Sequence, residues 1–186
     1  MSNFLILMSG GTTPVINSTL AGILKTLRKK KIKVFSGSPG LEGFLRGQIK
    51  NLSNLSLAKI KKMGETPGSH FIGTSRLTKL NAIEVKKLKS ILDKKNITNI
   101  INIGGNGTLK QSIYLASTMP EINFISCPKT VDNDLGDVNF KKMLFNPGFI
   151  SCIEIWKFFL KMINIENIGA SSHDKIIISQ TFGRET

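Results

Sequence analysis

The chain has 186 residues, of which 40% are hydrophobic, a length and composition typical of one soluble domain or one large lobe. No apolar run reaches the roughly 18 residues of a membrane span, and the N-terminus lacks the basic segment and cleavage site of a signal peptide, so a cytoplasmic protein without a membrane partner is predicted. The net charge of +14 would suit a nucleic acid, but the lysines are spread over helical faces and the chain has one Trp and one Tyr, so no specific nucleic-acid partner is predicted.

The N-terminal segment predicts a strand, a glycine turn and a helix. Phe4–Met8 is a short apolar run, and apolar residues then recur at helical spacing as far as the basic run Arg28–Lys31. Thr13 is expected to be the N-cap of this helix and Pro14 its first residue. A second strand is predicted at 32–35, followed by a glycine-rich loop at 37–47.

The rest of the chain continues the alternation of strands and helices. An amphipathic helix is predicted at Asn81–Lys95, and the isoleucine-rich run Ile97–Ile103 predicts a strand buried on both faces. The remaining predictions are a helix at 108–117, a strand at 122–127, a long helix at 149–163 and a strand at 175–179. Together they predict an α/β fold, a doubly wound and mostly parallel sheet that binds ligands beyond the carboxyl ends of its strands.

Two glycine turns follow predicted strands, Gly10-Gly11-Thr12-Thr13-Pro14 and Gly104-Gly105-Asn106-Gly107-Thr108. Glycine allows a phosphate to approach the backbone, and the N-terminus of the following helix stabilises negative charge. Each turn alone could be an ordinary strand-to-helix connection. Two of them in one sheet predict a phosphate-binding site.

A third motif, Pro128-Lys129-Thr130-Val131-Asp132-Asn133-Asp134, places two carboxylates beside a hydroxyl and an ammonium. Such carboxylates also cap backbone donors in ordinary turns. In a phosphoryl-transfer site, one carboxylate would act as a general base and the other as a ligand for Mg²⁺. Thr130 and Lys129 could then hydrogen-bond the transferred group. Arg76 and Arg184 are candidates for bidentate phosphate contacts, although a lone Arg is usually only solvated.

With these motifs in this order, the chain resembles the N-terminal half of the 6-phosphofructokinase family. The Lys129-to-Asp134 motif is the most specific part of the resemblance, and Gly73-Thr74-Ser75-Arg76 resembles the family's donor-phosphate arginine loop. The glycine turns, Asn146-Pro147-Gly148-Phe149 and Phe182-Gly183-Arg184 also resemble family motifs.

The resemblance implies transfer of a phosphoryl group from ATP or pyrophosphate to the 1-hydroxyl of fructose 6-phosphate in glycolysis. It implies that Asp132 accepts the proton of that hydroxyl, while Thr130 and Lys129 contact the transferred group. The residues implied to hold the donor phosphates are Gly11, Arg76, Gly105, Gly107 and Thr108. Those implied to contact the sugar phosphate are Asp134, Gly183 and Arg184, and those implied at Mg²⁺ are Asn106 and Asp134.

Three departures from the family pattern bear on activity, and the first is that Val15 replaces a glycine and Phe182 replaces a methionine at ligand-facing loops. The family's metal-binding Asp in the second glycine turn is Asn106 here, which removes a negative charge and should weaken Mg²⁺ binding. The family's second lobe, which supplies most sugar-phosphate contacts, is absent from this chain. Residues 1–186 are therefore expected to form the N-terminal donor-binding lobe of an enzyme that is a homo-oligomer when complete.

The donor and the exact activity stay open at this point. In the family that the chain resembles, Lys129 matches the pyrophosphate-using members and also some ATP-using ones. Gly107 has no side chain and leaves room for the rest of a nucleotide, which slightly favours ATP. Asn106 and the missing lobe would also fit a catalytically degenerate phosphate-binding remnant. NAD kinases and diacylglycerol-type lipid kinases share the Gly-Gly-Asp-Gly-Thr loop, but they lack the Lys129-to-Asp134 and Gly183-Arg184 motifs.

Overall fold

A computed structural model describes residues 2–136, 145–170, 172–173 and 176–180. Strands and helices alternate along most of this length. They are β1 Asn3–Met8, α1 Ile16–Lys29, β2 Val34–Gly37, α2 Gly40–Leu45, β3 Ile49–Asn51, α3 Leu57–Gly64, α4 Ala82–Lys94, β4 Ile97–Gly104, α5 Asn106–Thr118, β5 Asn123–Pro128 and α6 Phe149–Gly169.

The sheet has the strand order β3-β2-β1-β4-β5. β1 pairs in parallel with both β2 and β4, and β5 pairs in parallel with β4. Among the strands that the structure describes, only β3, at one edge, is antiparallel. The chain therefore moves outward in one direction after β1 and in the other after β4. The carboxyl ends of β1 and β4 form the topological switch point, where sheets of this kind bind ligands.

Both faces of the sheet are buried, as the apolar strands predict. Along β1, Leu5 and Leu7 point into one core cluster, which α2, α4 and α5 complete, while Ile6 and Met8 point into the other, which α1 and α3 complete. The alternation follows from the two-residue period of a strand. The prediction of a doubly wound, mostly parallel α/β sheet is confirmed.

The predicted glycine-rich loop at 37–47 is wrong in part, because it contains the end of β2 and the helix α2. Leu41, Phe44 and Leu45 of that helix are buried in the core. Gly37 allows this packing, since a Cβ there would lie 1.9 Å from the carbonyl oxygen of Gly40. The glycines serve the close approach of α2 to β2, and burial overrides the low helix propensity of this segment.

Further boundaries differ from the sequence predictions. The helix α1 begins at Ile16 with Val15 as its N-cap, and no side chain caps it, so the prediction of Thr13 as N-cap and Pro14 as first residue is wrong. The helix α6 runs to Gly169, six residues beyond its predicted end at 163. Residues 176–179 are not in a strand, against the prediction, and Lys175 lies outside the described residues.

Candidate functional site

A cleft of about 910 Å³ opens at the carboxyl ends of β1 and β4. Every site residue that the sequence predicts within the described ranges lines it: Gly11, Arg76, Gly105, Asn106, Gly107, Thr108, Lys129, Thr130, Asp132 and Asp134. Gly183 and Arg184 lie outside the described residues. Segments far apart in the sequence thus meet at the switch point.

The turn after β1 is tied to the loop that carries Arg76. The backbone N–H of Gly10 donates to the carbonyl oxygen of Ser75 at 3.0 Å, and the Ser9 hydroxyl donates to the same oxygen at 3.1 Å. Gly10 has a φ of +79°, a conformation that favours glycine. These bonds fix the backbone beside Arg76, so that its guanidinium and the turn at Gly11 line the same cleft.

The turn after β4 leads directly into α5 and presents a helix N-terminus to the cleft. Its N-cap residue is Gly105, and no side chain caps the helix, so the N–H groups of the first turn are available to an anion. Gly104 has to lack a side chain, because a Cβ there would lie 2.2 Å from the hydroxyl oxygen of Thr108. The glycine pattern therefore sets both the turn and the position of the Thr108 hydroxyl.

Lys129 lies in the centre of the cleft, and only 2% of it is exposed. Its Nζ donates to the carbonyl oxygen of Gly11 at 2.5 Å, and its backbone N–H donates to the carbonyl oxygen of Gly104 at 3.0 Å. Burial lowers the pKa of Lys129 to about 8, with attraction to Asp132 opposing this shift and the charge of Arg76 adding to it. A bound phosphate would give this dehydrated ammonium a counter-charge.

The Thr130 hydroxyl hydrogen-bonds the carboxylate of Asp134 and the backbone N–H of Asp132. Thr130 Oγ1 donates to Asp134 Oδ1 at 3.1 Å and accepts from the backbone N–H of Asp132 at 3.0 Å. Asn133 between them has a φ of +52°. The segment forms a turn in which the Thr130 hydroxyl accepts from the backbone N–H of Asp132, and both Asp132 and Asp134 line the cleft.

Sequence analysis missed a buried clamp on this turn, the side chain of Asn146. Its Oδ1 accepts from the backbone N–H of Leu135 at 2.6 Å, its Nδ2 donates to the Leu135 carbonyl oxygen at 3.1 Å, and its backbone N–H donates to Asn133 Oδ1 at 2.9 Å. Only 2% of Asn146 is exposed. Asn146 therefore joins the carboxylate turn to the start of α6, and its place in the Asn-Pro-Gly-Phe motif was the available signal.

Gly148, the N-cap of α6, packs against the same turn. A substitution at Gly148 therefore tests this close packing. Gly148 has a φ of +101°, and a Cβ there would lie 2.8 Å from the Thr130 carbonyl oxygen and 2.9 Å from Cγ2 of Thr13. We expect Gly148→Ala to lower the free energy of unfolding by about 2 to 4 kcal/mol, through backbone strain and overlap. Denaturant unfolding measures the change.

Gly22 in the interior of α1 provides the matched control, because a Cβ there meets nothing within 4 Å. We expect Gly22→Ala to raise the free energy of unfolding by about 0.5 to 1 kcal/mol, because alanine has the higher helix propensity. Equal effects of the two substitutions would contradict the close packing of Gly148 on the Thr130 turn.

The cleft has further lining residues that sequence analysis did not single out, among them Thr78 and Lys110. Lys110 is exposed and lies one helical turn after Asn106 on α5. Its spacing from the glycine turn was the signal for it. The charged side chains lining the described cleft are thus Arg76, Lys110 and Lys129 against Asp132 and Asp134, a balance that favours anions.

A family model and the related proteins named below all point to the same family. A family model described as phosphofructokinase matches residues 3–186. The pyrophosphate–fructose 6-phosphate 1-phosphotransferase of Xanthomonas campestris is 29% identical over 98% of this chain and 44% of that protein. The ATP-dependent 6-phosphofructokinase 3 of Bacteroides thetaiotaomicron is 30% identical over 97% of this chain and 52% of that protein.

Among solved structures, the pyrophosphate-dependent phosphofructokinase of Nitrosospira multiformis matches with a TM-score of 0.70 and 28% identity. The match covers 80% of this chain and 37% of that one. The chain therefore spans about half the length of the curated relatives it matches.

Proposed function

The chain belongs to the phosphofructokinase family, and on this premise we propose that its cleft binds a phosphoryl donor and transfers the terminal phosphoryl group to the 1-hydroxyl of fructose 6-phosphate. The observation that carries this proposal is the convergence of the two glycine turns, Arg76 and the Lys129-to-Asp134 motif on one cleft. The reaction requires positioning and electrostatic stabilisation more than covalent chemistry by the protein, and the fixed turns and cationic side chains of the cleft support the proposal on both counts.

The donor phosphates would bind where the cleft concentrates positive charge and N–H groups. The N-terminus of α5 offers backbone donors, and Gly11 leaves open space, since a Cβ there meets nothing within 4 Å. Arg76 would bind phosphate oxygens in a bidentate manner. Lys129 would contact the transferred group, and its attraction to the phosphoryl oxygens should strengthen as their charge increases in the transition state.

Asp132 would accept the proton of the sugar 1-hydroxyl as the hydroxyl oxygen bonds to the terminal phosphorus. The bond from that phosphorus to its bridging oxygen breaks, and the leaving ADP or phosphate keeps the electron pair. Asp132 lies next to the turn stabilised by Thr130, which holds its backbone in place. A positioned general base typically accelerates such a step by about 10² to 10⁴.

The cleft offers some of the oxygen ligands that a bound Mg²⁺ would require. Within the described residues no group of three or more His, Cys, Asp or Glu could hold a metal by itself, and Mg²⁺ at phosphoryl-transfer sites typically uses one or two carboxylates together with substrate phosphates. Asp134 and the amide oxygen of Asn106 would hold the ion. When bound, it would neutralise charge on the donor phosphates.

The donor that we favour is ATP. Gly107 is exposed at the cleft, and a Cβ there would approach Thr78 Cγ2 to 3.3 Å. The missing side chain leaves space next to the phosphate site for the rest of a nucleotide. Relatives of both donor classes match this chain, so direct competition between ATP and pyrophosphate is the relevant measurement.

The proposed reaction is tested on the protein purified from its own cells, with any associated polypeptide retained. Production of fructose 1,6-bisphosphate from fructose 6-phosphate, with ATP or pyrophosphate and Mg²⁺, is measured by coupled oxidation of NADH. Product formation is expected with ATP. Phosphorylation of NAD or diacylglycerol instead would favour the related kinases, and donor binding without any turnover would favour a degenerate remnant, the alternative that Asn106 supports.

We expect Asn106→Asp to tighten Mg²⁺ binding. Asn106 is the first residue of α5 and lines the cleft that Asp134 also lines, so the added carboxylate would supply a second charged ligand in that cleft. The Mg²⁺ concentration for half-maximal donor binding should fall by about tenfold, because a charged ligand contributes on the order of 1 to 2 kcal/mol more than a neutral one. Calorimetric titration at several Mg²⁺ concentrations measures it.

Asn54→Asp serves as the control, since Asn54 is exposed between β3 and α3 and lies outside the cleft lining. It adds the same charge to the protein without adding a ligand to the site. A Mg²⁺ dependence that Asn106→Asp leaves unchanged or weakens would count against the proposed metal position.

A further inference from the structure

The part of the chain that carries Arg76 has no regular structure of its own, and we call residues 75–78 the Arg76 segment. Residues 76–80 form neither a helix nor a strand, and the side chain of Arg76 is exposed. An irregular segment keeps one position only where other parts of the fold hold its backbone groups. The position of the Arg76 guanidinium therefore depends on the hydrogen bonds of the residues beside it.

On its N-terminal side, the Arg76 segment is anchored to β1 through Ser75, which is buried. The backbone N–H of Ser75 donates to the carbonyl oxygen of Met8 at 3.3 Å. The carbonyl oxygen of Ser75 accepts from the backbone N–H of Gly10 and from the hydroxyl of Ser9. These three bonds fix one end of the segment at the turn that follows β1.

On its C-terminal side, the Arg76 segment is anchored to α5 through the buried side chain of Gln111. The Nε2 of Gln111 donates to the carbonyl oxygen of Leu77 at 3.1 Å, and only 7% of Gln111 is exposed. Gly107 lies four residues before Gln111 and therefore on the same face of the helix. A Cβ on Gly107 would lie 3.3 Å from Cγ2 of Thr78, so the segment runs directly along the first turn of α5.

Gln111 joins two parts of the phosphate site without lining the cleft itself. Its side chain is bonded to the backbone of the Arg76 segment, whereas Arg76 lines the cleft together with Asn106 and Gly107 from the first turn of α5. A donor with linked phosphates can offer oxygens to the guanidinium and to the N–H groups of that turn at the same time. The bond from Gln111 to Leu77 fixes the spacing between these two groups.

We propose that Gln111 is a positioning residue for donor binding. Its bond to Leu77 holds the Arg76 guanidinium beside the N-terminus of α5, so that both groups bind one donor as a unit. A segment that is already ordered raises the affinity, because the ligand does not have to order it on binding. This inference rests on the proposed function, since it takes the donor phosphates as the ligand of Arg76.

The proposal requires energetic coupling between Gln111 and Arg76, which a double-mutant cycle measures. Gln111→Met keeps the length of the side chain but removes the donor to the Leu77 carbonyl oxygen. With Arg76 present, we expect Gln111→Met to weaken the binding of ATP by about 5- to 10-fold, because the segment is no longer held. In the Arg76→Ala background, the same substitution should change the affinity by less than about twofold, because no guanidinium is left to position.

Ser112→Ala is the matched control, since Ser112 is the next residue of α5 and is also buried. Its hydroxyl accepts from Asn102 Nδ2 at 2.7 Å and donates to the carbonyl oxygen of Thr108 at 2.9 Å. These bonds connect α5 to β4 and to its own first turn, and not to the Arg76 segment. Ser112→Ala should therefore change the affinity for ATP by the same factor with Arg76 present and in the Arg76→Ala background.

Calorimetric titration without fructose 6-phosphate measures binding separately from turnover, with ATP and with pyrophosphate as probes and with any associated polypeptide retained. Thermal unfolding verifies that each variant is folded, and Gln111→Leu replaces Gln111→Met if the latter is not. Equal effects of the substitution in the two Arg76 backgrounds would give Gln111 a purely structural role and would overturn the proposal.

The same titrations separate this proposal from the proposed reaction. Donor binding with the expected coupling but without turnover would support the role of Gln111 and contradict the reaction. Turnover without coupling would contradict the role of Gln111 alone. A parent protein that binds neither ATP nor pyrophosphate would overturn both.

Discussion

Replacement of Asp132 by Asn is expected to reduce turnover at least 100-fold and to leave the fold and donor binding intact. The change removes a proton acceptor but keeps the size of the side chain. A general base contributes about 10² to 10⁴ to the rate of such a reaction, so kcat for fructose 6-phosphate should fall within that range. The backbone N–H of Asp132 still donates to Thr130 Oγ1, and the turn should persist.

The measurement is the steady-state rate of the complete enzyme, together with thermal unfolding and ATP binding of the same variant. Asp93→Asn is the control, because Asp93 lies exposed on α4, outside the cleft lining. It makes the same chemical change and should leave kcat unaltered. A kcat for Asp132→Asn within tenfold of the parent would exclude Asp132 as the base, whatever the outcome for donor binding.

The central part of the fold could be predicted because its sequence signals are local and redundant. The run Ile97–Ile103 contains four isoleucines, as suits a strand buried on both faces, and the glycines that follow favour a sharp turn into a helix. Gly104 illustrates this constraint, since any Cβ there would collide with Thr108. Parallel strands place the ends of β1 and β4 side by side, so the site could be located once both turns were recognised.

The parts that could not be predicted depend on contacts between distant residues. The helix α2 forms in a glycine-rich segment because Phe44 becomes fully buried against the sheet, and no local pattern shows that partner. The Asn146 clamp joins residues 11 positions apart in sequence. Its two side-chain bonds to Leu135 depend on a loop geometry that propensities do not encode.

The N-cap of α1 shows the same limit on a smaller scale. Thr13 followed by Pro14 matches the local statistics of a helix start, yet the helix begins at Ile16. Thr13 instead lies buried against Gly148, at the base of the carboxylate turn. Packing at the site overrides the local preference.

Replacement of Lys129 by Met is expected to weaken donor binding by about 10- to 100-fold, since a hydrogen bond to a charged group contributes about 1.5 to 3 kcal/mol. Met keeps most of the buried stem of the side chain but removes the ammonium. Lys110→Met is the matched control, because Lys110 is an exposed cation at the same cleft and its charge is largely screened. Its effect on the affinity for ATP should be several-fold smaller.

The same two variants should also differ in how their free energy of unfolding depends on pH. Because burial lowers the pKa of Lys129 from 10.5 to about 8 in the folded protein, the unfolded chain binds more protons between these two values. The free energy of unfolding should therefore gain about 3 kcal/mol from this residue as the pH rises from 8 to 10.5. Lys129→Met should lose that gain relative to the parent, and Lys110→Met should keep it.

Donor binding adds a third readout, the uptake of protons. A phosphate beside Nζ raises the pKa of Lys129 from its value of about 8, so binding at pH 8 should take up about half a proton. Calorimetry in buffers with different ionisation enthalpies measures this uptake, which should disappear in Lys129→Met and persist in Lys110→Met. Loss of affinity in Lys129→Met without loss of proton uptake would mean that another group titrates, and that the phosphate does not contact Lys129.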